Sequence, residues 1–246
     1  MTAARLLLEV AANSVASAVA AQLGGADRVE LCENLGEGGT TPSHGTLVLA
    51  REQLRIPLYV LIRPRPGDFH YDAQEVAIML RDIVHCRDLG CDGVVLGALD
   101  VQGGVDTAVC RELIAAADGM GVTFHRAIDA AREPLLALET IIDLGCERVL
   151  TSGGHATAAQ GSDVIAQMVQ LAAGRMRILA GAGVTPSNLP DLVRRTGVSE
   201  VHASAKGLRA SAMQFRNPAL VGLKLDWQQT EVATVAALRA ALDGAG

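Results

Sequence analysis

Hydrophobic residues come along this chain in short runs, each stopped by a polar or charged residue or by a glycine. The stops fall at Glu9, Glu30, Arg63, Asp100, His125, Ser152, Gly181 and His202. Amphipathic stretches of helical length lie between the runs, so the order strand, loop, helix repeats eight times. In a chain of 246 residues that alternation predicts a single (β/α)₈ TIM-type barrel of parallel strands over residues 1–246. The C-terminal strand ends of such a barrel form its active face, so the same stops mark where chemistry is expected.

An internal repeat orients the barrel. Gly25-Ala26-Asp27-Arg28-Val29 recurs as Gly90-Cys91-Asp92-Gly93-Val94 and Gly145-Cys146-Glu147-Arg148-Val149, with a weaker echo at Gly197-Val198-Ser199-Glu200-Val201. Each glycine sits where a helix ends in a left-handed residue, and each valine begins the next strand. The repeat therefore marks the face opposite the active one. Cys91 and Cys146 belong to it, and Cys86 and Cys110 fall in helical stretches, which makes these four structural. Cys32 alone lies near a C-terminal strand end.

Strand side chains alternate between the lumen and the helix layer, so parity sorts the strand ends. Val29 and Leu31 share the apolar parity of strand two, which sends Glu30 and Cys32 inward. Thr123 and His125 point inward from strand five, with Arg126 at the rim, and His202, Ser204 and Lys206 share the inward parity of strand eight. Glu9 and Arg63 complete a ring of ionisable groups. Carboxylates, an arginine and a histidine converging on one mouth shift each other's pKa values, as proton transfer requires. Glu9, Glu30, Arg63 and His125 are the expected catalytic residues, with Arg65 and Arg126 at the rim. A guanidinium inside a barrel is costly alone, so Arg63 is expected in a bidentate pair with Glu9 or Glu30. Lys206 is a weaker candidate, as a Schiff-base nucleophile.

Two glycine-containing strand ends predict an anion site. Gly181-Ala182-Gly183 closes strand seven before a helix start at Thr185-Pro186-Ser187-Asn188, and Thr151-Ser152-Gly153-Gly154 closes strand six. With Arg65, Arg126, His202 and Ser204, the residues Ser152, Gly153, Gly181 and Gly183 form the expected ligand-binding set. From Lys206 to about Gln229 a long connection follows strand eight, a length that suits a lid, a binding loop or an oligomer contact.

Composition narrows the partners. A net charge of −6 and the lack of a Lys/Arg-rich run argue against nucleic acid. No apolar run reaches the roughly 20 residues that span a bilayer, so a membrane is not expected and the protein reads as soluble and cytoplasmic. Five cysteines without a Cys-x-x-Cys give neither a disulfide framework nor a zinc motif and fit a reducing compartment.

Several segments together resemble the CutC family, named for copper homeostasis. They are Val29-Glu30-Leu31-Cys32, Gly38-Gly39-Thr40-Thr41-Pro42-Ser43, Arg63-Pro64-Arg65-Pro66-Gly67-Asp68-Phe69, Val122-Thr123-Phe124-His125-Arg126-Ala127, Val149-Leu150-Thr151-Ser152-Gly153 and Ala180-Gly181-Ala182-Gly183-Val184. The resemblance spans roughly residues 5 to 206, departing at Thr40 and Pro66. It implies a cytoplasmic, oligomeric barrel linked to copper handling, with a copper ion as its cofactor or cargo. Cys32 with His125 or His202 are the ligands this chain offers, although copper(I) prefers several soft sulfur donors. Two functions thus stand side by side: a copper-binding homeostasis protein, and an enzyme acting on a small anionic metabolite.

Overall fold

A computed structural model describes residues 5–219, 222 and 224–245. Eight parallel strands close on themselves in sequential order: β1 (Leu7–Ala12), β2 (Arg28–Leu31), β3 (Leu58–Leu61), β4 (Gly93–Leu96), β5 (Gly121–Phe124), β6 (Arg148–Thr151), β7 (Arg177–Ala180) and β8 (Glu200–Ala203). Around them lie α1 (Val15–Leu23), α2 (His44–Gln53), α3 (Ala73–Asp88), α4 (Thr107–Ala117), α5 (Pro134–Asp143), α6 (Ser162–Ala172), α7 (Leu189–Thr196) and α8 (Val232–Asp243). The expected (β/α)₈ barrel is the observed one. Its main core is the layer between strands and helices, where Leu8, Val10, Val29, Leu31, Val60 and Ile62 meet Met79, Ile83 and Leu113.

Local chemistry explains the helix boundaries. Ser14, Ser43, Asp72 and Asp106 each accept a backbone N–H of the first turn of their helix, and Asp72 with Glu75 closes a reciprocal capping box at α3. The repeat's glycines do end helices in left-handed geometry, with φ of +92° at Gly25, +71° at Gly90, +81° at Gly145 and +71° at Gly197. Its acidic third position ties neighbouring strands together: Leu8 N–H donates to Asp27 and Leu58 N–H to Asp92, each at 2.8 Å.

The connection after β8 is not a plain loop. Lys206–Arg209 (β9) and Trp227–Thr230 (β10) pair as an antiparallel ribbon that leads into α8. Ala205 has a φ of +46°, which breaks the strand alternation before Lys206. Lys206 is exposed at the start of the ribbon, where it lines the rim of the same cavity as His202 and Ser204.

Candidate functional site

The lumen is charged from its base upward. Parity sends Arg28 and Glu30 inward together, and register sets Glu9 beside Arg28 on one side and beside His202 on the other. At the base, Arg28 Nε donates to Glu9 and Arg28 Nη2 to Glu200 at 2.8 Å, while Arg148 Nε reaches Glu200 at 3.1 Å. Both guanidinium groups lie 5.1 Å from the Tyr59 ring centroid, and the Tyr59 hydroxyl donates a hydrogen bond to Glu147. Burial opposes the Glu9 charge, but Arg28 and then His202 outweigh it and hold that carboxyl well below the usual range. Arg28, Arg148 and Glu200 escaped the sequence reading because the repeat placed them at the structural face. Their parity with Glu30 and His202 was the available signal.

One layer higher the groups open into a cavity of about 500 Å³ at the C-terminal mouth, walled in part by Glu30, Arg63, Phe69, His125, Arg126 and His202. His202 Nδ1 is hydrogen-bonded to Glu9 Oε1 at 2.7 Å and lies 3.9 Å from Glu30 Oε2. Burial pushes Glu30 up to about 7, only partly opposed by His202, and its Oε2 has no hydrogen-bond partner. Burial alone would lower His202, yet the Glu30 and Glu9 carboxylates raise it above its ordinary value. Glu9 itself lies beneath this layer and does not touch the cavity.

Arg63 departs from the expectation of a carboxylate partner. Its Nη1 donates to the carbonyls of Glu37 (3.0 Å) and Gly39 (2.7 Å), its Nη2 to that of Gly67 (2.7 Å), and its guanidinium lies 5.0 Å from the Phe69 ring centroid. The β2–α2 and β3–α3 loops fold over the arginine and supply neutral acceptors, so Glu9 pairs with Arg28 instead. His125, directly after β5, accepts Ala127 N–H on Nδ1 at 3.2 Å, while its buried Nε2 has no partner. Gly97 is needed for this ring, because a Cβ there would come within 2.8 Å of its Cε1 and Nδ1.

The expected anion set divides. Arg126, Gly183, His202 and Ser204 line the cavity, as do Ala182, Val184 and Thr185 beside them. Ser152 and Gly153 do not, and an internal carboxylate already fills their loop: Asp129 accepts from Thr151 Oγ1 (2.6 Å), Ser152 N (3.0 Å), Gly154 N (3.0 Å) and Arg126 Nε (2.7 Å). A contact between the loops after β5 and β6 creates that arrangement, and no periodicity announces it. Gly181 serves its neighbours, since a Cβ there would meet Leu150 at 2.6 Å and His202 at 3.1 Å. Arg65 is turned into its own loop, bonded to Glu75 and to Asp68 at 3.0 Å.

Comparison with known proteins places this architecture. The CutC family model matches residues 6–207. The chain belongs to the CutC family. CutC family proteins of Xanthomonas axonopodis pv. citri (strain 306) and Chromobacterium violaceum are similar to it. The first is 58% identical over 93% of this chain and 95% of the relative. The second is 51% identical over 97% and 99%. A solved Streptococcus agalactiae chain carrying the CutC copper-homeostasis name superposes with a TM-score of 0.78 at 32% identity, covering 81% of this chain and 98% of its own. Thiamine phosphate pyrophosphorylase from Pyrococcus furiosus, at 15% identity and a TM-score of 0.62, shares the fold alone.

The family name raises copper, and the residues present do not suit copper(I). Cys32 packs with Tyr59, Leu61 and Val95, and burial, then Glu30 and Glu33, push its thiol well above the ordinary range. Among the described residues, the one trio of metal-type donors is Glu9, Glu30 and His202, with atoms within 4.8 Å of one another, and it contains neither Cys32 nor His125. Arg28 and His202 already engage Glu9, and the trio of this CutC-family mouth contains none of the sulfur that a soft cation prefers.

Proposed function

We propose that the mouth of this CutC-family barrel is an acid–base catalytic site for a small anionic metabolite bearing a phosphate or a carboxylate. The observation that carries the reading is Glu30: a buried carboxyl at the cavity wall, with one oxygen unpartnered and the His202 imidazole 3.9 Å away. A carboxyl pushed up to about 7 populates both protonation states near neutrality, which a group that takes and returns a proton must do. Arg63, Arg126, Gly183 and Ser204 in the same wall supply a cationic, glycine-containing cradle for the anionic end. Thermal-shift screening against phosphorylated and carboxylated metabolites tests this, because a ligand at a hundred times its Kd stabilises by about 2.7 kcal/mol. Glu30→Gln is expected to keep the binding of any hit and to abolish its conversion; no hit in the whole panel overturns the reading.

Copper as cargo is the second reading, supported by the family name and by Cys32 as the one thiol adjoining Glu30. Competition against a Cu(I) chelator separates the two readings. We also read the protein as a cytoplasmic homo-oligomer. Five free, buried cysteines fit a reducing compartment. Leu208, Met213, Phe215 and Trp227 leave apolar surface exposed on the β9–β10 arm. Light scattering of the eluted protein tests the assembly.

A further inference from the structure

Two groups in the mouth carry polar hydrogens or charge that the fold itself does not use. Because His125 Nδ1 accepts the Ala127 N–H, the ring hydrogen sits on Nε2, and that N–H is buried at the cavity wall without a partner. A donor kept dry and unpaired costs stability unless a ligand takes it. Beside it stands Arg63, satisfied by carbonyls of Glu37, Gly39 and Gly67 rather than by a carboxylate. Its positive charge is therefore not neutralised, its buried Nε has no partner, and the residue lines the cavity. Phe69 packs against both groups, 5.0 Å from each, and fixes their relative placement. Burial, and then the Arg63 charge, hold His125 down to about 3, so its imidazole is a neutral donor near neutral pH.

We infer that Arg63 and His125 form an oxyanion-binding pair, and that the substrate is a carbonyl or carboxylate compound with a hydrogen on the adjacent carbon. The inference rests on the acid–base reading of the same mouth and names the substrate class for it. His125 Nε2–H takes the substrate oxygen in the field of Arg63, and Glu30, ionised, takes the proton from the adjacent carbon. As the C–H electron pair becomes a C=C bond, the carbonyl electron pair moves onto oxygen, and the resulting enolate is stabilised by the N–H and the guanidinium. Glu30 returns the proton to the opposite face of the same carbon once the planar enolate has turned over, which inverts that carbon; in an α-hydroxycarbonyl it instead delivers the proton to the former carbonyl carbon, while the hydroxyl proton passes to the carbonyl oxygen and the O–H electron pair forms the new C=O bond. Nothing is oxidised overall, so the step needs no further reactant, and the reaction is an epimerisation in the first case and an isomerisation in the second.

Oxalate, a planar dianion shaped like an enediolate, is the probe. In full-length protein labelled with ¹⁵N-histidine, adding oxalate is expected to shift the His125 Nε2 signal and to raise the melting temperature. His125→Phe keeps the ring shape without the N–H, and it is expected to weaken oxalate about tenfold or more, with partial recovery in His125→Gln. Oxalate binding to wild type that leaves the His125 signal unmoved overturns the assignment, and that readout needs no variant to fold. In that outcome the acid–base reading of Glu30 still stands. Failure of wild type to bind oxalate at millimolar concentration also overturns the assignment, whereas the metabolite screen judges the broader reading independently.

Discussion

The base and the mouth of the lumen hold similar residues and treat them differently. At the base, Arg28 is shared between Glu9 and Glu200, Arg148 meets Glu200, and the Tyr59 hydroxyl donates a hydrogen bond to Glu147. At the mouth, Glu30 Oε2 and His125 Nε2 have no partner, and Arg63 is held by neutral carbonyls. Charges that neutralise one another inside a barrel hold strands together. Charges left open toward a cavity cost stability in the empty protein and keep their capacity for a ligand. The contrast separates scaffold from site more sharply than burial does, since both layers are buried.

Removing one arginine from each layer gives the largest effect. Arg28→Ala takes the guanidinium from Glu9 and one of two from Glu200, leaving His202 and Arg148 to hold two buried carboxylates, and is expected to cost about 3 kcal/mol in denaturant melts. Arg63→Ala loses bonds to carbonyls without orphaning a carboxylate and is expected to cost about 2 kcal/mol while removing anion binding. Equal losses would dissolve the comparison.

The pH dependence of Glu30 comes next. Its native pKa, about 7, lies above the 4.5 of an ordinary glutamate, so the folded protein keeps this proton longer than the unfolded chain. Its contribution is whole below about 4.5 and is lost as pH rises through about 7. Glu30→Gln cannot ionise, so its stability relative to wild type should be lowest below pH 4.5 and should climb until about pH 7, as read from melts across that range. A flat difference would show that Glu30 has a compensating partner and belongs with the base. His125 keeps its neutral Nε2–H donor form throughout this range, because its imidazole stays neutral down to about 3.

The smallest effect is expected at Cys32, which packs against Tyr59, Leu61 and Val95. Cys32→Ser should cost about 1 kcal/mol for a buried hydroxyl and leave Cu(I) affinity, measured against a chelator, weak and unchanged. Tight binding in wild type that the variant loses would move the mouth to copper chemistry.

Much of this molecule was legible along the chain. Alternation of apolar runs with amphipathic stretches gave the barrel, the recurring glycine turns gave its orientation, and parity brought Glu30, His125 and His202 to the lumen. Parity works because a strand has two faces and a barrel has one inside. It is local, however, and each side chain's partner is not: whether Glu9 meets Arg28 or Arg63 depends on stagger between strands and on loops that arrive from elsewhere. Neutral carbonyls at Glu37, Gly39 and Gly67 leave no mark in composition, and neither does the Asp129 carboxylate filling the loop after β6. The sequence by itself determined the barrel, its polarity and the roster of ionisable groups facing inward. Only the tertiary structure decided which of them are neutralised and which stay open, because that depends on distances of a few ångströms between residues far apart in the chain, in a medium where an unpaired charge costs far more than it does in water.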